Sequence, residues 1–136
     1  MNFPLEVVSI TGEIFSGEVS EVTLPGVVGE LTALARHMPV VVPLTTGEVI
    51  LKANGKILNY SIGKGVFSYD GKIGRLLIED VTAADEISEE RAMNAKKRAE
   101  DLLAKGIKGE EKIQAQYLLR RSLIDLKIVR RKRRII

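Results

Sequence analysis

Residues 49–79 are VILKANGKILNYSIGKGVFSYDGKIGRLLIE, and this stretch decides the fold of the amino-terminal part of the chain. It contains two turn dipeptides, Asn54-Gly55 and Asp70-Gly71, each between runs of strand-forming residues. The four runs are Val49–Ala53, Lys56–Ile62, Val66–Tyr69 and Lys72–Glu79. Because Asn, Asp and Gly adopt positive φ angles more readily than other residues, the two dipeptides predict two successive β-hairpins.

Short strands also account for the residues before these hairpins. Residues 5–10 alternate between the two faces of a half-buried strand. Further strands are predicted at Glu13–Phe15, Val19–Leu24 and Val40–Pro43. Pro25–Leu31 is predicted to be a Gly-rich loop, and Gly63 and Gly65 are predicted to mark a bulge or a close backbone approach. About eight to ten strands at hairpin spacing predict an antiparallel β-sandwich or flattened barrel.

The pattern changes at Ala84–Glu86, after which helical features replace the strands. Ser88 is a favourable helix N-cap, and two glutamates follow it in the first turn, where the helix dipole favours negative charge. Lys105–Gly109 predicts the end of this helix, and a second helix with an apolar stripe follows. The predicted fold class is therefore α+β, with a β-sandwich domain at 1–84 followed by an antiparallel α-helical hairpin at 85–136.

Net charge has opposite signs in the two predicted domains. Residues 1–86 contain six Lys/Arg and eleven Asp/Glu, a net charge of −5. Residues 87–136 contain fifteen and seven, a net charge of +8, and the two values sum to the +3 of the whole chain. An acidic β domain joined to a basic helical segment predicts that the helices contact an acidic partner.

Composition argues against catalysis. The chain has no Cys and one His, so thiolate metal sites are excluded, and no Ser/His/Asp arrangement or paired carboxylates in an apolar setting are apparent. The sequence therefore predicts neither a catalytic site, nor a metal site, nor a cofactor. Because no signal-peptide pattern and no membrane-spanning run are present, we expect any membrane association to depend on a partner.

Local strings spaced along the chain carry a family resemblance. They are Leu5-Glu6-Val7-Val8-Ser9, Phe15-Ser16-Gly17, Pro25-Gly26 followed by Gly29-Glu30-Leu31, His37-Met38-Pro39, Arg91-Ala92-Met93 and Ala95-Lys96-Lys97-Arg98-Ala99-Glu100. In order and spacing, over essentially the full chain, they resemble the epsilon subunit family of bacterial-type F-type ATP synthases.

The resemblance implies a role in the central rotor stalk. Family members are non-catalytic, and their sandwich lies on the gamma subunit and on the ring of membrane c subunits. Their helices fold against the sandwich or extend into the head of alpha and beta subunits, where they inhibit ATP hydrolysis. The expected location is peripheral, on the cytoplasmic face of a bacterial cell membrane, with a plastid thylakoid as the second choice.

Four residues are assigned to contacts by the resemblance. Val28, Gly29 and Glu30 match the edge that meets the c-ring, although Val28 stands where relatives often carry Glu. His37 matches a position that contacts gamma. From the residues alone, a solvated loop carboxylate and a turn histidine remain open alternatives.

Some family members bind ATP between the helices, and the matching stretch here is residues 87–92. The corresponding candidates are Ile87, Arg91, Ala92, Arg98 and Arg121. Ser88 replaces the aspartate of the motif, Thr82 replaces a glutamate, and Asp125 stands where an arginine faces the phosphates. Because a carboxylate repels a triphosphate, we expect ATP binding to be weak or absent.

Basic residues cluster along the second helix. They are Arg120, Arg121, Arg130, Arg131, Lys132, Arg133 and Arg134. The helix dipole stabilises each cation in a last turn by roughly 0.3–1 kcal/mol, which accounts for one or two cations but not for five in a row. The resemblance implies that they contact an acidic segment of the catalytic beta subunits.

A small β-barrel with a basic tail is also typical of a nucleic-acid-binding module, which is the alternative function. Single-strand binding requires aromatic side chains on the sheet, and the chain has only three Phe and three Tyr. Nucleic acid is therefore not expected as a partner. The resemblance implies that the partners are the gamma subunit, the c-ring and the beta and alpha subunits.

Overall fold

Ten strands form a curled sheet in the first of two structural units, Met1–Ala83. The computed structural model describes the backbone of residues 1–135 and the side chains of residues 1–132. The strands are β1 (Phe3–Ser9), β2 (Gly12–Val19), β3 (Glu21–Gly26), β4 (Gly29–Leu34), β5 (Val40–Leu44), β6 (Gly47–Ala53), β7 (Lys56–Ile62), β8 (Gly65–Tyr69), β9 (Gly74–Ile78) and β10 (Val81–Ala83). The second unit begins with a 3-10 turn at Ala84–Glu86 and contains α1 (Glu89–Ala104) and α2 (Glu110–Ile135).

The strand order is β10-β7-β6-β3-β5-β8-β9-β1-β2, and β4 pairs with β3 beside this path. Neighbouring strands are antiparallel apart from β1 and β9, which are parallel within the described residues. Because the sheet curls, its inner face forms a core whose largest fully buried side chains are Phe67, Leu5, Leu24, Leu51, Ile62 and Leu76. The predicted fold class, a β-sandwich or flattened barrel followed by a helix pair, is confirmed.

The first predicted hairpin is confirmed in its turn chemistry. β6 and β7 pair up to Ala53 and Lys56, and the two residues between them are Asn54 and Gly55. Their φ angles are 53° and 74°, which is the left-handed conformation that Asn and Gly tolerate.

The second hairpin has a longer turn than the sequence predicts. β9 begins at Gly74 rather than at Lys72. The Asp70 carboxylate accepts hydrogen bonds from the backbone N–H groups of Ile73 and Lys72, both at 2.8 Å, and this local turn competes with strand pairing. The same two bonds, that of Ile73 first, hold the pKa of Asp70 below its ordinary value.

The predicted break between Phe15 and Val19 is wrong. A single strand, β2, spans this stretch and ends at Val19, and the interruption comes at Ser20. The hydroxyl and N–H of Ser20 donate to the carbonyl of Lys52 at 3.2 and 2.7 Å. Gly17 remains in the strand because it pairs with Leu5 of β1.

The predicted loop at Pro25–Leu31 is also wrong, because most of it is paired strand. Pro25 lies opposite Glu30, and Gly26 lies opposite Gly29, as the end of the β3–β4 hairpin. Proline lacks an N–H but keeps its carbonyl, which accepts from Thr45 at 2.9 Å. A Cβ atom at Gly26 would lie 2.6 Å from the carbonyl oxygen of Gly29, so glycine is required for the closing approach.

A close backbone approach occurs at Gly65, as predicted. A Cβ atom there would lie 2.6 Å from the carbonyl oxygen of Leu77 in the neighbouring strand β9. At Gly63 the expectation of a bulge or close approach stays a prediction.

The first helix of the second unit begins at a side-chain cap. The Ser88 hydroxyl accepts from the N–H of Arg91 at 3.2 Å and caps α1. The turn between the helices contains Gly106 and Gly109 at φ angles of 74° and 70°. The helices pack antiparallel, because Arg130 near the end of α2 contacts α1 near its beginning. Their most buried residues are Ala92, Ala99, Ala115, Arg121, Ser122, Leu126 and Ile128.

Candidate partner-contact surfaces

The tip of the β3–β4 hairpin consists of two exposed valines. Val27 and Val28 are the only residues between the paired Gly26 and Gly29, and their side chains are 62% and 97% exposed. The N–H of Val27 donates to the carbonyl of Pro43 at 3.0 Å, which ties the tip to β5. An exposed apolar pair at a hairpin tip is a candidate contact surface. Val28 was predicted from the sequence as a contact residue and Val27 was not, although a valine pair between two glycines was the available signal.

Glu30 adds one charge close to this tip. It is exposed in β4 and lies opposite Pro25. Val28, Gly29 and Glu30 are therefore brought together on one hairpin end, and His37 lies in the connection after β4.

The loop that contains His37 has an unusual backbone conformation. Arg36 has a φ of 69°, a left-handed conformation that few residues other than Gly, Asn and Asp adopt. The N–H of His37 donates to the carbonyl of Leu34 at 3.1 Å, and His37 Nδ1 donates to the carbonyl of Met38 at 2.7 Å. The side chain of Met38 is exposed.

A row of apolar side chains covers the outward face of four neighbouring strands. Val8, Leu77, Val66 and Pro43 lie opposite one another across β1, β9, β8 and β5, so their side chains share a face. Val41 precedes Pro43 by two residues and points the same way, and its side chain is 71% exposed, against 56% for Leu77. We call these five residues the apolar face. The apolar face was not predicted from the sequence, although the unbroken apolar run in β5 is typical of a strand covered on both faces.

The basic residues of α2 fall into two environments. Arg120 and Lys132 are exposed, whereas Arg121 is only 7% exposed. Arg121 Nη1 donates to the Tyr117 hydroxyl at 3.1 Å, and its Nε lies 3.7 Å from Asp125 Oδ1. Buried and paired within its own helix, Arg121 differs from the exposed cations with which the sequence analysis grouped it.

Near the end of α2, Arg130 contacts α1. Its Nη2 lies 3.3 Å from Met93 Sδ, and its Nε lies 4.0 Å from Glu89 Oε1. Arg131 is half-buried. The predictions for Arg133 and Arg134 concern side chains that lie outside the described residues.

The ATP-site candidates lie in different surroundings within the described residues. Arg98 lines a shallow groove on α1 together with Lys97, Asp101 and Lys105, and Arg121 does not line it. Ile87 is half-buried, Arg91 is exposed and Ala92 is buried. Because the Arg121 guanidinium already contacts Tyr117 and Asp125, this arrangement does not present it to a phosphate.

The described residues also bear on metal binding and on membrane insertion. Within the described residues, no group of three or more His, Cys, Asp or Glu side chains is placed to hold a metal ion. No helix in residues 1–135 combines the length and the apolar character needed to cross a membrane.

Comparison with known proteins matches both units. The model for the ATP synthase delta/epsilon chain beta-sandwich domain matches residues 2–84, and that for the long alpha-helix domain of the same chain matches residues 85–129. ATP synthase epsilon chain 1 of Methylococcus capsulatus is 34% identical over 128 residues, which is 93% of this chain and 91% of that protein. The ATP synthase epsilon chain of Xanthomonas oryzae pv. oryzae is 31% identical over 130 residues, which is 95% and 93% of the two chains.

Solved structures show the same fold. A chain of the Euglena gracilis mitochondrial ATP synthase superposes with a TM-score of 0.78 at 20% identity, covering 88% of this chain and 76% of that one. A chain of the Tetrahymena thermophila mitochondrial ATP synthase, from its central stalk and c-ring, gives 0.55 at 9% identity and covers 64% and 70%.

A β-sandwich with exposed apolar surfaces is followed in this chain by a basic helical hairpin, which is the two-domain architecture of the matched family. The family models cover nearly the whole sequence, and this chain belongs to the ATP synthase delta/epsilon chain family. The resemblance found in the sequence is confirmed. Membership in this family also makes the chain a non-catalytic subunit of a larger enzyme.

Proposed function

We propose that this chain works in the central rotor stalk of a bacterial-type F-type ATP synthase. Its sandwich joins the gamma subunit to the c-ring and so transmits ion-driven rotation, and its basic helices inhibit ATP hydrolysis. One observation carries the proposal: an acidic sandwich unit with exposed apolar surfaces is joined to a strongly basic helical unit. The chain is therefore peripheral to the cytoplasmic face of the membrane and is held there by the complex.

The c-ring contact is assigned to the β3–β4 hairpin tip. Val28 and Gly29 meet the polar loops of the ring, and Glu30 supplies the charge. Because Val27 and Val28 are both exposed, apolar burial contributes more to this contact than in relatives that carry Glu at the position of Val28. The contact should therefore depend only weakly on salt.

The gamma contact is assigned to the apolar face and the loop that contains His37. Leu77 and Val41 each leave more than half of their side chain in solvent, which favours burial against a partner. His37 and Met38 border the same strand, since β5 begins at Val40. A mainly apolar contact of this kind suits a permanent subunit interface.

Inhibition is assigned to the basic residues of α2 that reach solvent. The cations available to contact an acidic segment of the beta subunits are Arg120, Arg130 and Lys132, whereas Arg121 supports packing within the helical unit. The Arg130–Glu89 pair is half-exposed at 4.0 Å, and such pairs contribute about 0–1 kcal/mol, so a denser acidic partner can replace it. Coulomb attraction between these cations and the acidic segment then steers the extended helices and holds them in place.

The inhibitory role is tested by alanine substitution of the five consecutive cations 130–134. In the complex reassembled with this variant, we expect ATP hydrolysis to rise towards the rate without the chain. The matched control replaces five cations elsewhere in the helical unit, Lys96, Lys97, Lys105, Lys108 and Lys112, with alanine. Because the two variants lose the same charge, equal effects on hydrolysis would show that net charge, and not the end of α2, is responsible.

The docking role is tested by binding to the purified gamma subunit of the same enzyme. Leu77→Asp should abolish binding, because it places a charge in a desolvated contact, while Lys56→Asp at the opposite hairpin should not. Filter binding of single-stranded RNA over a salt series addresses the alternative function. Tight RNA binding together with no binding of gamma would overturn the proposal.

A further inference from the structure

One hydroxyl group connects the two loops that border the proposed gamma contact. Tyr69 lies in β8 and its side chain is almost fully buried. Its hydroxyl accepts a hydrogen bond from the N–H of Arg36 at 3.3 Å and donates to the carbonyl of Gly71 at 3.2 Å. A phenol hydroxyl can donate and accept at the same time, so this single group holds residues 35–39 and 70–73 together.

The first of these loops contains the strained residue. Arg36 has a φ of 69°, and a long unbranched side chain adopts this conformation only where surrounding contacts impose it. The hydrogen bond from Arg36 N–H to Tyr69 is such a contact. The next residue, His37, places its ring edge-on to that of Tyr69, with centroids 6.4 Å apart.

The ring and the hydroxyl of Tyr69 have separable tasks. The ring packs in the core, where its centroid lies 5.4 Å from that of Phe3, and phenylalanine would fill the same space. The hydroxyl contributes little to that packing, and it reaches the two loops instead. Its presence in a buried position is explained by the loops and not by the core.

We infer that Tyr69 is a positioning residue for the gamma contact: its hydroxyl holds Arg36 in the left-handed conformation and thereby fixes the direction of His37 and Met38. This inference rests on the proposed function, in which His37 contacts gamma. It concerns the shape of the surface and assigns no direct contact to Tyr69.

The test uses the full chain and the purified gamma subunit in titration calorimetry. Tyr69→Phe keeps the ring and removes the hydroxyl, and we expect about a fivefold weaker affinity, the value of one net hydrogen bond. Tyr60→Phe, which removes a hydroxyl from β7, is the control and should bind as the unmodified chain does. Equal affinity of Tyr69→Phe and the unmodified chain would overturn the inference.

A double-mutant cycle separates positioning from general stability. Glycine adopts a positive φ without support, so in the Arg36→Gly background the Tyr69→Phe substitution should change affinity by less than about twofold. A fivefold loss in both backgrounds would show that the hydroxyl acts in some other way and would overturn the inference.

A measurement on the free chain keeps this inference distinct from the proposed function. Hydrogen exchange of the Arg36 amide should accelerate by about fivefold or more in Tyr69→Phe, because the bond that protects it is lost. If the unmodified chain fails to bind gamma, the proposed function fails, while accelerated exchange still supports the tie between the loops. Unchanged exchange refutes the tie whatever gamma does.

Discussion

Replacing Arg121 with methionine should destabilise the helical unit. The substitution removes a guanidinium that lies 3.7 Å from the carboxylate of Asp125, and the two side chains are 9% and 20% exposed. It also removes the hydrogen bond to Tyr117. The Asp125 carboxylate would then remain largely buried without its guanidinium partner.

The expected magnitude follows from that burial. Breaking a fully buried ion pair costs about 3–5 kcal/mol. Because Asp125 keeps some access to water and the 3.7 Å separation is long for a hydrogen bond, we expect Arg121→Met to lower the free energy of unfolding by about 2–3 kcal/mol. Adding Asp125→Leu removes the buried carboxylate as well, so the double variant should recover most of this loss.

Urea unfolding followed by circular dichroism at the helical minimum measures these differences. The matched control is Arg120→Met, which makes the same chemical change at the exposed neighbouring position and should alter stability by about 0.5 kcal/mol or less. If Arg121→Met costs no more than Arg120→Met, or if the double variant is no more stable than the single one, the description of this pair as buried and interdependent is refuted.

Three further predictions concern the packing of the sandwich, the titration of Asp70 and the binding of ATP. Gly65→Ala should destabilise the sandwich by about 1–3 kcal/mol, because its Cβ would lie 2.6 Å from the Leu77 carbonyl oxygen. The control is Gly17→Ala, whose Cβ would meet only an aromatic ring at 3.4 Å and which should be neutral or slightly stabilising. Thermal melts measure the stability of both variants. Asp70 has a lowered pKa, so its stabilising effect is present above the unfolded value of about 3.9 and is lost as pH falls through the lower folded value. The stability difference between the unmodified chain and Asp70→Asn should therefore disappear at acid pH, and a difference that persists there would contradict this assignment. Calorimetry with ATP should show weak binding or none, and saturation at millimolar ATP or below would contradict the expectation.

Features that depend on local turn chemistry were predictable from the sequence. The Asn54-Gly55 turn needed only two residues that tolerate positive φ, and the start of α1 needed only the hydroxyl of Ser88. Both are interactions within a few residues of one another.

Features that depend on distant pairing were not predictable. The sequence predicted a loop where the β3–β4 hairpin lies, because Pro25 and the nearby glycines normally interrupt a strand. They fit a strand here because the neighbouring strand β5 forms hydrogen bonds with this hairpin. The apolar face requires the pairing of β1 with β9, which brings Val8 beside Leu77 across 69 positions of sequence. No local pattern specifies that register.

The candidate sites also have some features that are visible in the sequence and others that only the packed structure shows. The charge of the α2 cations is visible in the sequence, but the separation of buried Arg121 from exposed Arg120 requires the packed structure. The tie from Tyr69 to Arg36 joins residues 33 positions apart, and neither residue type suggests it.

The most direct test is ATP hydrolysis by the cognate catalytic head, depleted of its own epsilon subunit, as the unmodified full chain is added at increasing ionic strength. At low salt, one chain per complex should reduce hydrolysis. The reduction should shrink as ionic strength rises from about 0.1 M to about 1 M, since the Debye length falls from about 10 Å to about 3 Å. Gamma binding measured in parallel should persist, because the proposed contact is mainly apolar. If the chain binds gamma but does not reduce ATP hydrolysis at any salt concentration, the proposal that the basic helices inhibit hydrolysis is contradicted.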